Sequence, residues 1–266
     1  MHTQLRFDKI MNIVEKERSV TVESLSKRLY VSPSSIRRDL TELDRQGVLR
    51  RTYGGAVFRD SLEKELPINV RLNEQKEAKI AIAQKAASLV VDNDFIFIDS
   101  STTTYYMTRH LHERTGVTLF TNGVRTATEL VDLPHTRVYC TGGRLRPYSM
   151  SFVGESAKLC LQEHNVNKVF LSCASIDITS GITTTNEEEC AFRRFILGKC
   201  KNNILLCDSS KFDQISFCKI SGFELISCLI TEKEPPDKWK KALADFGVTL
   251  IYPEVTKHLQ VLEGSL

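Results

Sequence analysis

Long apolar segments are missing from this 266-residue sequence. No apolar run approaches the ~20 residues that a helix needs to span a bilayer. Residues 1–6 contain no hydrophobic stretch typical of a secretory signal. Hydrophobic residues make up 41% of the chain and charged residues 26%, which is ordinary for a globular protein. We therefore expect a cytoplasmic protein with no membrane partner.

Closely spaced metal ligands are also missing. The eight cysteines form no Cys-x-x-Cys pair, and the six histidines are scattered, whereas zinc sites need closely spaced ligand pairs. All the cysteines lie in the second half, and Cys173, Cys207 and Cys228 fall within apolar runs. We expect no metal site and no cofactor, and we interpret the cysteines as reduced thiols that pack as small hydrophobic side chains. A redox-sensing thiol stays an open alternative.

Positive charge is concentrated near the N-terminus. Residues 1–60 hold 12 Lys and Arg against 8 Asp and Glu, although the whole chain has a net charge of only +3. A basic head joined to a nearly neutral body is typical of a nucleic-acid-binding module attached to a larger domain.

A short helix in this basic head presents two adjacent arginines to solvent. Ser32 is suited to cap its first turn and Pro33 to occupy its first position, and residues 36–43 carry an apolar stripe at helical spacing. Amphipathic segments at 5–17 and 21–29 precede it, so the sequence predicts a helix-turn-helix. The side opposite the stripe carries Ser34, Ser35, Arg37 and Arg38.

A basic hairpin follows this helix. Residues 48–57 predict two short strands around a glycine bend, which would form a wing. Arginines on a helix beside a basic hairpin suit a protein that grips the phosphates of double-stranded DNA and reads a groove edge. We prefer this interpretation to a merely solvated charged surface, because such folds contact the major groove at this helix. The predicted DNA contacts are Ser32, Ser34, Ser35, Arg37, Arg38, Arg50, Arg51, Tyr53, Gly54 and Gly55.

The rest of the chain alternates between helix and strand patterns. Such alternation predicts a larger doubly wound, mostly parallel α/β domain with helices on both faces of the sheet. Residues 58–76 contain Pro67 and many charges, and we interpret them as a linker that lets the two domains move relative to each other. The predicted domains are a winged helix-turn-helix (1–57), the linker (58–76), an α/β sensor and oligomerisation domain (77–253) and a C-terminal tail (254–266).

Polar residues follow the predicted strands of this sheet. Ligands of open parallel sheets bind beyond the carboxyl ends of the strands. The hydroxyl-rich run 99–104 leads into a helix N-terminus, which suits phosphate, although such a run is often only a helix cap. Together with a lysine, these groups suit a small polyhydroxylated anion such as a sugar phosphate. The candidate contacts are Asp99, Ser100, Ser101, Thr102, Thr103, Thr104, Thr121, Asn122, Gly142, Gly143, Asp177 and Lys211.

The first 57 residues resemble the winged helix-turn-helix of DeoR-type bacterial transcriptional regulators. Two positions depart from that pattern: Ser35 stands where the family usually has Thr, and Tyr53 where it usually has His. Both keep a hydrogen-bonding side chain, so the departures bear on operator sequence more than on DNA binding. The matching residues are Val31, Ser32, 36–40, Leu43, Gly47, Leu49, Arg51 and 54–56.

Residues 77–232 resemble the sensor domain of the same family. The resemblance implies a fold like that of ribose-5-phosphate isomerase and CoA transferases, and a phosphorylated sugar or related metabolite as effector. It implies that 100–104 hold the phosphate, with Asp99, Asn122, Asp177 and Lys211 near the sugar. Ser101 replaces a common glycine and Asn167 a frequent Asp. The matching residues are Asp99, Thr102, Thr103, Thr121, Asn122, Gly142, Gly143, Gly154, Lys168, Asp177, Gly181, Thr183, Asn186, Glu189 and 208–211.

The resemblance implies a repressor of carbohydrate uptake or catabolism genes. We expect a homodimer or homotetramer that binds operator DNA and is released by a phosphorylated sugar. The alternative is a sugar-phosphate isomerase-like enzyme with an appended DNA-binding domain, in which Asp99, Asp177, Glu189 and Lys211 would move protons. Fold alone does not establish catalysis, and the DNA-binding head favours a regulator that is not an enzyme.

Overall fold

The computed structural model describes residues 3–45, 48–58 and 66–253. Gly47, residues 59–65 of the predicted linker and the predicted tail at 254–266 lie outside the described residues. Among the helices that are described, none is long and apolar enough to cross a membrane.

Three helices and a small sheet form the N-terminal head. The hydroxyl of Ser32 accepts a hydrogen bond from the backbone N–H of Ser35 at 3.3 Å, which caps the third helix as predicted. The three strands lie in the order β1-β3-β2. The elements are α1 (Thr3–Glu17), β1 (Ser19–Thr21), α2 (Val22–Leu29), α3 (Pro33–Arg45), β2 (Leu49–Thr52) and β3 (Gly55–Phe58).

Glycine is required where the wing crosses the head. A Cβ atom on Gly55 would lie 1.9 Å from the carbonyl oxygen of Val20, because β3 pairs with β1 at this point. Any side chain here would push the wing away from β1. Gly55 therefore has a structural role in addition to its predicted place in the wing.

The body contains seven more helices and twelve more strands among the described residues. In chain order they are α4 (Ile68–Arg71), α5 (Lys76–Ala87), β4 (Phe95–Ile98), α6 (Thr102–Met107), β5 (Thr118–Thr121), α7 (Val124–Leu130), β6 (Arg137–Cys140), β7 (Arg144–Arg146), β8 (Ser151–Val153), α8 (Glu155–Gln162), β9 (Lys168–Ser172), β10 (Ser175–Asp177), β11 (Gly181–Thr184), α9 (Glu187–Lys199), β12 (Asn203–Leu206), β13 (Cys218–Ser221), β14 (Cys228–Ile230), α10 (Asp237–Asp245) and β15 (Thr249–Ile251). Short 3₁₀ turns lie among them.

Seven parallel strands form the central sheet, in the order β15-β14-β12-β9-β4-β5-β6. Helices α5, α6 and α7 bury their apolar side chains on one face, and α8, α9 and α10 on the other. Strands covered on both faces read as near-continuous apolar runs, as in the Phe-Ile-Phe-Ile sequence of β4. The predicted doubly wound α/β architecture is confirmed.

The strand order reverses between β4 and β9. From β4 the chain adds β5 and β6 on one side of the sheet, and then returns to build β9, β12, β14 and β15 on the other. Connections leaving two neighbouring strands in opposite directions open a crevice at their carboxyl ends. This switch point therefore positions any ligand site of the body.

Two antiparallel additions were not predicted: the sheet β10-β11-β13 and the hairpin β7-β8. In the apolar run 225–231, the strand that pairs with the sheet is Cys228–Ile230, and Phe223–Leu225 before it forms a 3₁₀ turn. Strands of three or four residues show too few alternations to be recognised by their period.

The described part of the predicted linker packs on the body. Ile68 and Leu72 lie four residues apart on one side of α4 and are buried in the core. The backbone N–H of Ile68 donates to the carbonyl of Tyr148 at 2.9 Å, and the Tyr106 hydroxyl donates to the carbonyl of Leu72 at 2.9 Å. Leu66, in contrast, is buried in the core of the head. Residues 66–72 thus connect the two units through buried side chains.

Candidate functional site

The head presents one continuous polar surface made of α3 and the wing. Arg37 and Arg38 are exposed, and their guanidinium groups make no hydrogen bond to the described residues, so both are available to a partner. Arg51 connects the wing to the helix: its Nη1 donates to the hydroxyl of Thr41 at 2.9 Å, and its backbone N–H donates to Asp44 at 3.2 Å. The predicted DNA contacts on the helix and on the wing therefore lie side by side.

A buried ion pair orients the arginine-bearing helix. Asp39 lies next to Arg38 in sequence but points inward, where both of its oxygens accept bonds from Arg6 of α1, at 2.5 and 2.8 Å. Such a bidentate pair fixes geometry as well as charge. Asp39 therefore holds α3 against α1.

Sequence reasoning missed one exposed aromatic residue of the head. Tyr30 occupies the turn between α2 and α3 with a left-handed backbone (φ 54°), and it is 95% exposed. An aromatic side chain this exposed, directly before the arginine helix, is suited to contact a phosphate with its hydroxyl. The sequence feature that could have pointed to Tyr30 is its position between two amphipathic segments.

A polar cavity of about 370 Å³ lies at the switch point of the body. The residues that follow β4, β9 and β12 form its floor, and residues of α4, α5, β11 and α9 complete the wall. Its lining contains four basic side chains against two acidic ones, Glu74 and Glu189. The excess of positive charge suits an anionic ligand. The basic residues are Arg71, Lys79, Arg193 and Lys211.

The structure brings together some of the predicted effector contacts and separates others. Ser101, Thr102, Thr103 and Lys211 line the cavity. Asp99, Ser100 and Thr104 are buried directly behind this rim. The remaining candidates do not line it: Thr121, Asn122, Gly142, Gly143 and Asp177.

Asp99 organises the loop after β4. One of its carboxylate oxygens accepts from the Ser101 backbone N–H at 3.0 Å and from the Thr104 hydroxyl at 2.7 Å. The other accepts from the Ser172 backbone N–H at 3.3 Å and from Arg193 Nε at 3.1 Å. Asp99 therefore ties the β4 loop to the end of β9 and to α9, and acts on the cavity through its neighbours.

Arg193 connects two buried carboxylates. It lies on α9, its side chain is 7% exposed, and its Nη1 donates to Glu189 at 3.0 Å on the far side from Asp99. Glu189 also accepts from Arg146 at 2.6 Å and from the Ser151 hydroxyl at 3.0 Å. Burial raises the pKa of Glu189, but the surrounding arginines, Arg193 foremost, outweigh it and lower that pKa to about 2. The carboxylate therefore stays ionised at neutral pH.

Two lysines supply the positive charge near the hydroxyl rim. Lys211 Nζ donates to the Ser172 hydroxyl at 3.0 Å and lies 3.4 Å from Asp208. Burial lowers the pKa of Lys211, but the Asp208 carboxylate outweighs it, so the pKa is raised above its ordinary value. Lys79 differs, because burial and the nearby Lys211 ammonium lower its pKa to about 7.

One hydroxyl of the rim has no partner among the described residues. Thr103 is fully buried, and its Oγ1 makes no hydrogen bond to them although the residue lines the cavity. Leaving a buried polar group unsatisfied costs about 1–3 kcal/mol. An unpartnered hydroxyl at a polar cavity is a contact that a ligand can complete.

The candidates outside the cavity have local structural roles. The Thr121 hydroxyl accepts from the backbone N–H two residues later at 3.0 Å, and the Asn122 amide donates to the carbonyl of Phe152 at 3.1 Å. Asp177 closes the β10-β11 turn by accepting from the backbone N–H groups of Thr179 and Ser180. Gly142 and Gly143 both have positive φ, 66° and 106°, which explains glycine there.

The cavity also uses residues that strand ends could not reveal. Lys79 lies on the buried side of α5 with Ile82, Ala83 and Ala86. A lysine on the apolar side of a helix is the sequence feature that could have pointed to it. Arg193 follows Glu189 by four residues on α9, the spacing of an intrahelical ion pair. No group of three or more His, Cys, Asp or Glu side chains in the described ranges is placed to hold a metal ion.

Comparison with known families matches both units of the chain. Residues 6–62 match the DeoR-like helix-turn-helix domain, and residues 74–233 match the DeoR C terminal sensor domain. The first match covers the head, and the second covers most of the body, including most of the residues that line the cavity.

Individual relatives match over nearly the whole chain. The HTH-type transcriptional regulator YulB of Bacillus subtilis (strain 168) is 35% identical over 95% of this chain and 97% of its own length. The HTH-type transcriptional repressor GlcR of the same organism is 30% identical over 96% and 98%. Among solved structures, the ribose 5-phosphate isomerase from Plasmodium falciparum matches with a TM-score of 0.37 and 13% identity over 50% of this chain and 52% of that chain.

Proposed function

The chain belongs to the DeoR family of transcriptional regulators, and on this premise we propose that it represses carbohydrate uptake or catabolism genes and is released from its operator by a phosphorylated sugar or related metabolite. The cavity at the switch point carries the proposal, because it combines an excess of basic side chains with an unpartnered hydroxyl at Thr103. Phosphate oxygens would accept from such donors.

The proposed effector contacts are fewer than the twelve residues that the sequence predicted. Ser101, Thr102, Thr103 and Lys211 contact the ligand, with Lys79 as an additional cation. Asp99 and Arg193 position that rim from behind. The phosphate lies toward the hydroxyls and lysines of this rim. The hydroxyls of the metabolite reach Ser172 at the end of β9 and Ser175 at the beginning of β10.

The proposed DNA contacts are Arg37 and Arg38 in the major groove, with Arg50, Arg51, Tyr53 and the adjacent Gly54 on the backbone. A homodimer or homotetramer would present paired heads to two operator half-sites. Release requires that the effector bind more tightly to a conformation whose heads no longer match the half-site spacing, since only differential affinity shifts the equilibrium.

The isomerase alternative is not favoured. The relatives YulB and GlcR are named as a regulator and a repressor. Of its candidate acid–base groups, Asp177 closes a turn outside the cavity. Glu189, with a pKa lowered to about 2, is a weak base at neutral pH.

A ligand screen tests the proposal directly. Purified protein is tested by thermal shift against a panel of sugar phosphates, and any compound that raises the Tm is then added to a gel-shift assay with DNA from upstream of the protein's own gene. We expect one or a few phosphorylated sugars to raise the Tm and release the DNA. If none of the panel does either, an effector of this class is ruled out.

Thr103→Val should blunt the metabolite response and leave DNA binding intact. Valine keeps the shape of threonine but lacks the hydroxyl, which has no partner among the described residues. Losing a hydrogen bond to a charged ligand costs about 1.5–3 kcal/mol, so the effector concentration for half-release should rise about 10- to 150-fold in the gel shift.

Thr118→Val is the matched control. Thr118 is likewise buried with an unpartnered hydroxyl, but it lies at the beginning of β5 and does not line this cavity. It should respond to the effector like the unmodified protein. Equal responses of both variants would place the effector elsewhere.

Effector affinity should fall as the pH rises above about 7. The pKa of Lys79 is lowered to about 7, so a bound anion favours its protonated form and binding takes up a proton. Above pH 7 this uptake becomes costly, and the affinity declines by up to tenfold per pH unit. A phosphate monoester has a second pKa of about 6 and is therefore mostly the dianion from pH 7 to 9, so the pH dependence that titration calorimetry measures in that range comes mainly from the protein.

Lys79→Met should flatten this pH dependence. Lys76→Met, an exposed change on the same helix, should keep it. A pH dependence that persists in Lys79→Met would assign the titration to another group.

A further inference from the structure

Two cysteines lie opposite each other at the carboxyl end of the central sheet. The last registered pair of the parallel strands β9 and β12 is Ser172 with Leu206, and Cys173 and Cys207 follow directly. Neighbouring strands lie about 4.8 Å apart, which is within the range of Cα separations that a disulfide bridges.

Both thiols point to the same side of the sheet. Side chains alternate between faces along a strand, and Cys173 and Cys207 share one buried cluster with Leu171 and Leu205. The two thiols influence each other's ionisation, and the Cys207 thiol donates to the backbone carbonyl of Asp208 at 3.7 Å. The pair therefore meets the positional requirements for an S–S bond.

Cys173 is also accessible to small molecules. It lines the cavity and is 8% exposed, whereas Cys207 is fully buried behind it. The neighbouring Cys207 thiol and the Lys211 ammonium lower the pKa of Cys173 despite its burial. Burial raises the pKa of each of the other seven thiols. Because the thiolate is the nucleophile in thiol oxidation, the lowered pKa and the position at the cavity favour Cys173 as the attacking thiol.

We propose that Cys173 is an oxidation site for a small hydroperoxide that enters the cavity, with Cys207 as its resolving thiol. The Cys173 thiolate attacks a peroxide oxygen and the O–O bond breaks, which gives a sulfenic acid and, from hydrogen peroxide, hydroxide. The hydroxide takes up the proton that the Cys173 thiol released on ionising and becomes water. The Cys207 sulfur then attacks the sulfenic sulfur, and the hydroxyl leaves as water with the Cys207 proton. Two thiols lose two electrons and two protons, and one hydrogen peroxide is reduced to two waters.

The disulfide would lie between two ligand-binding segments of the cavity. Ser172 precedes Cys173, and Lys211 follows Cys207 by four residues and donates to the Ser172 hydroxyl. The S–S bond removes the ionisable thiol beside the Lys211 ammonium and joins the ends of β9 and β12 covalently. Resting on the proposed function, the oxidised protein is expected to need a higher effector concentration to release DNA.

Thiol counting tests the chemistry without reference to DNA or effector. The full-length protein is treated with hydrogen peroxide, denatured, and titrated for free thiols, and its peptides are mapped by mass spectrometry without reduction. We expect the count to fall by two, a Cys173–Cys207 cross-linked peptide, and full recovery with dithiothreitol. Eight free thiols after treatment, or a cross-link between other cysteines, would overturn the proposal.

Two variants separate the roles of the partners. In Cys207→Ser the reaction should stop at the sulfenic acid of Cys173, which dimedone traps. Cys218→Ser is the matched control: Cys218 also contacts another thiol, Cys190, but burial raises the pKa of both and neither lines the cavity. It should oxidise like the unmodified protein. If dimedone does not label Cys173 in Cys207→Ser, the proposal that Cys173 is oxidised first is wrong. This readout does not depend on how well the variant binds DNA.

Discussion

Replacing Arg37 or Arg38 by alanine is expected to weaken operator binding by about 1 to 3 kcal/mol, or roughly 5- to 150-fold in Kd. Both side chains are exposed on α3 and make no hydrogen bond to the described residues, so their removal should not disturb the fold. A gel shift or fluorescence anisotropy titration with operator DNA measures the effect. Unchanged affinity in both variants would remove α3 from the interface.

Arg45→Ala is the matched control for this experiment. Arg45 lies in the last turn of the same helix, is 75% exposed and pairs with Glu42 at 2.6 Å. It should leave operator affinity unchanged. Titration against unrelated DNA separates two roles for Arg37 and Arg38. A base contact weakens only specific binding, whereas a phosphate contact weakens both and lowers the salt dependence by about one counterion.

Arg193→Ala is expected to lower the free energy of unfolding by about 3 to 5 kcal/mol, the usual cost of breaking a buried ion pair. The change leaves Asp99 without its guanidinium partner and removes the strongest favourable charge acting on Glu189. Urea denaturation at pH 7 measures the loss. Arg194→Ala, on the next residue of α9, removes bonds to uncharged groups, namely the backbone carbonyls of Lys219 and Ile220 and the sulfur of Cys190, and should cost about 1 kcal/mol.

The penalty of Arg193→Ala should also depend on pH. The pKa of Glu189 is lowered to about 2 from its ordinary 4.5, so in the unmodified protein this carboxylate contributes stability that is fully present above about pH 4.5. That contribution is lost as the pH falls toward 2. The variant lacks much of it at any pH, so the two proteins should converge in acid. A constant gap between pH 7 and pH 3 would mean that the loss comes from packing and not from charge.

The head was largely predictable because its signals are local. A capping serine at 32, the stripe ending at Leu43 and the bend at Tyr53 each act within a few residues of the chain. The strand β1 was missed because it contains three residues and is defined by its pairing with the distant β3.

The cavity was predictable only in part. The rule that ligands bind beyond the carboxyl ends of the strands identified Ser101, Thr103 and Lys211, since β4 and β12 end at the cavity. Asn122 and Gly143 follow β5 and β6, which lie on the other side of β4 from the switch point. No pattern in one sequence reveals strand order, so their separation from the cavity could not be foreseen.

Leu66 contacts both the head and the cavity of the body. Its side chain is buried in the hydrophobic core beneath α3 and also forms part of the cavity wall, while Ile68 and Leu72 fasten the same stretch of backbone to the body. A metabolite that displaces Leu66 would weaken the packing of the head. In the same way, a rotation of the head on binding its operator would change the shape of the cavity. Under the proposed function, residues 66–72 would therefore couple effector binding to DNA binding in both directions, as thermodynamic reciprocity requires.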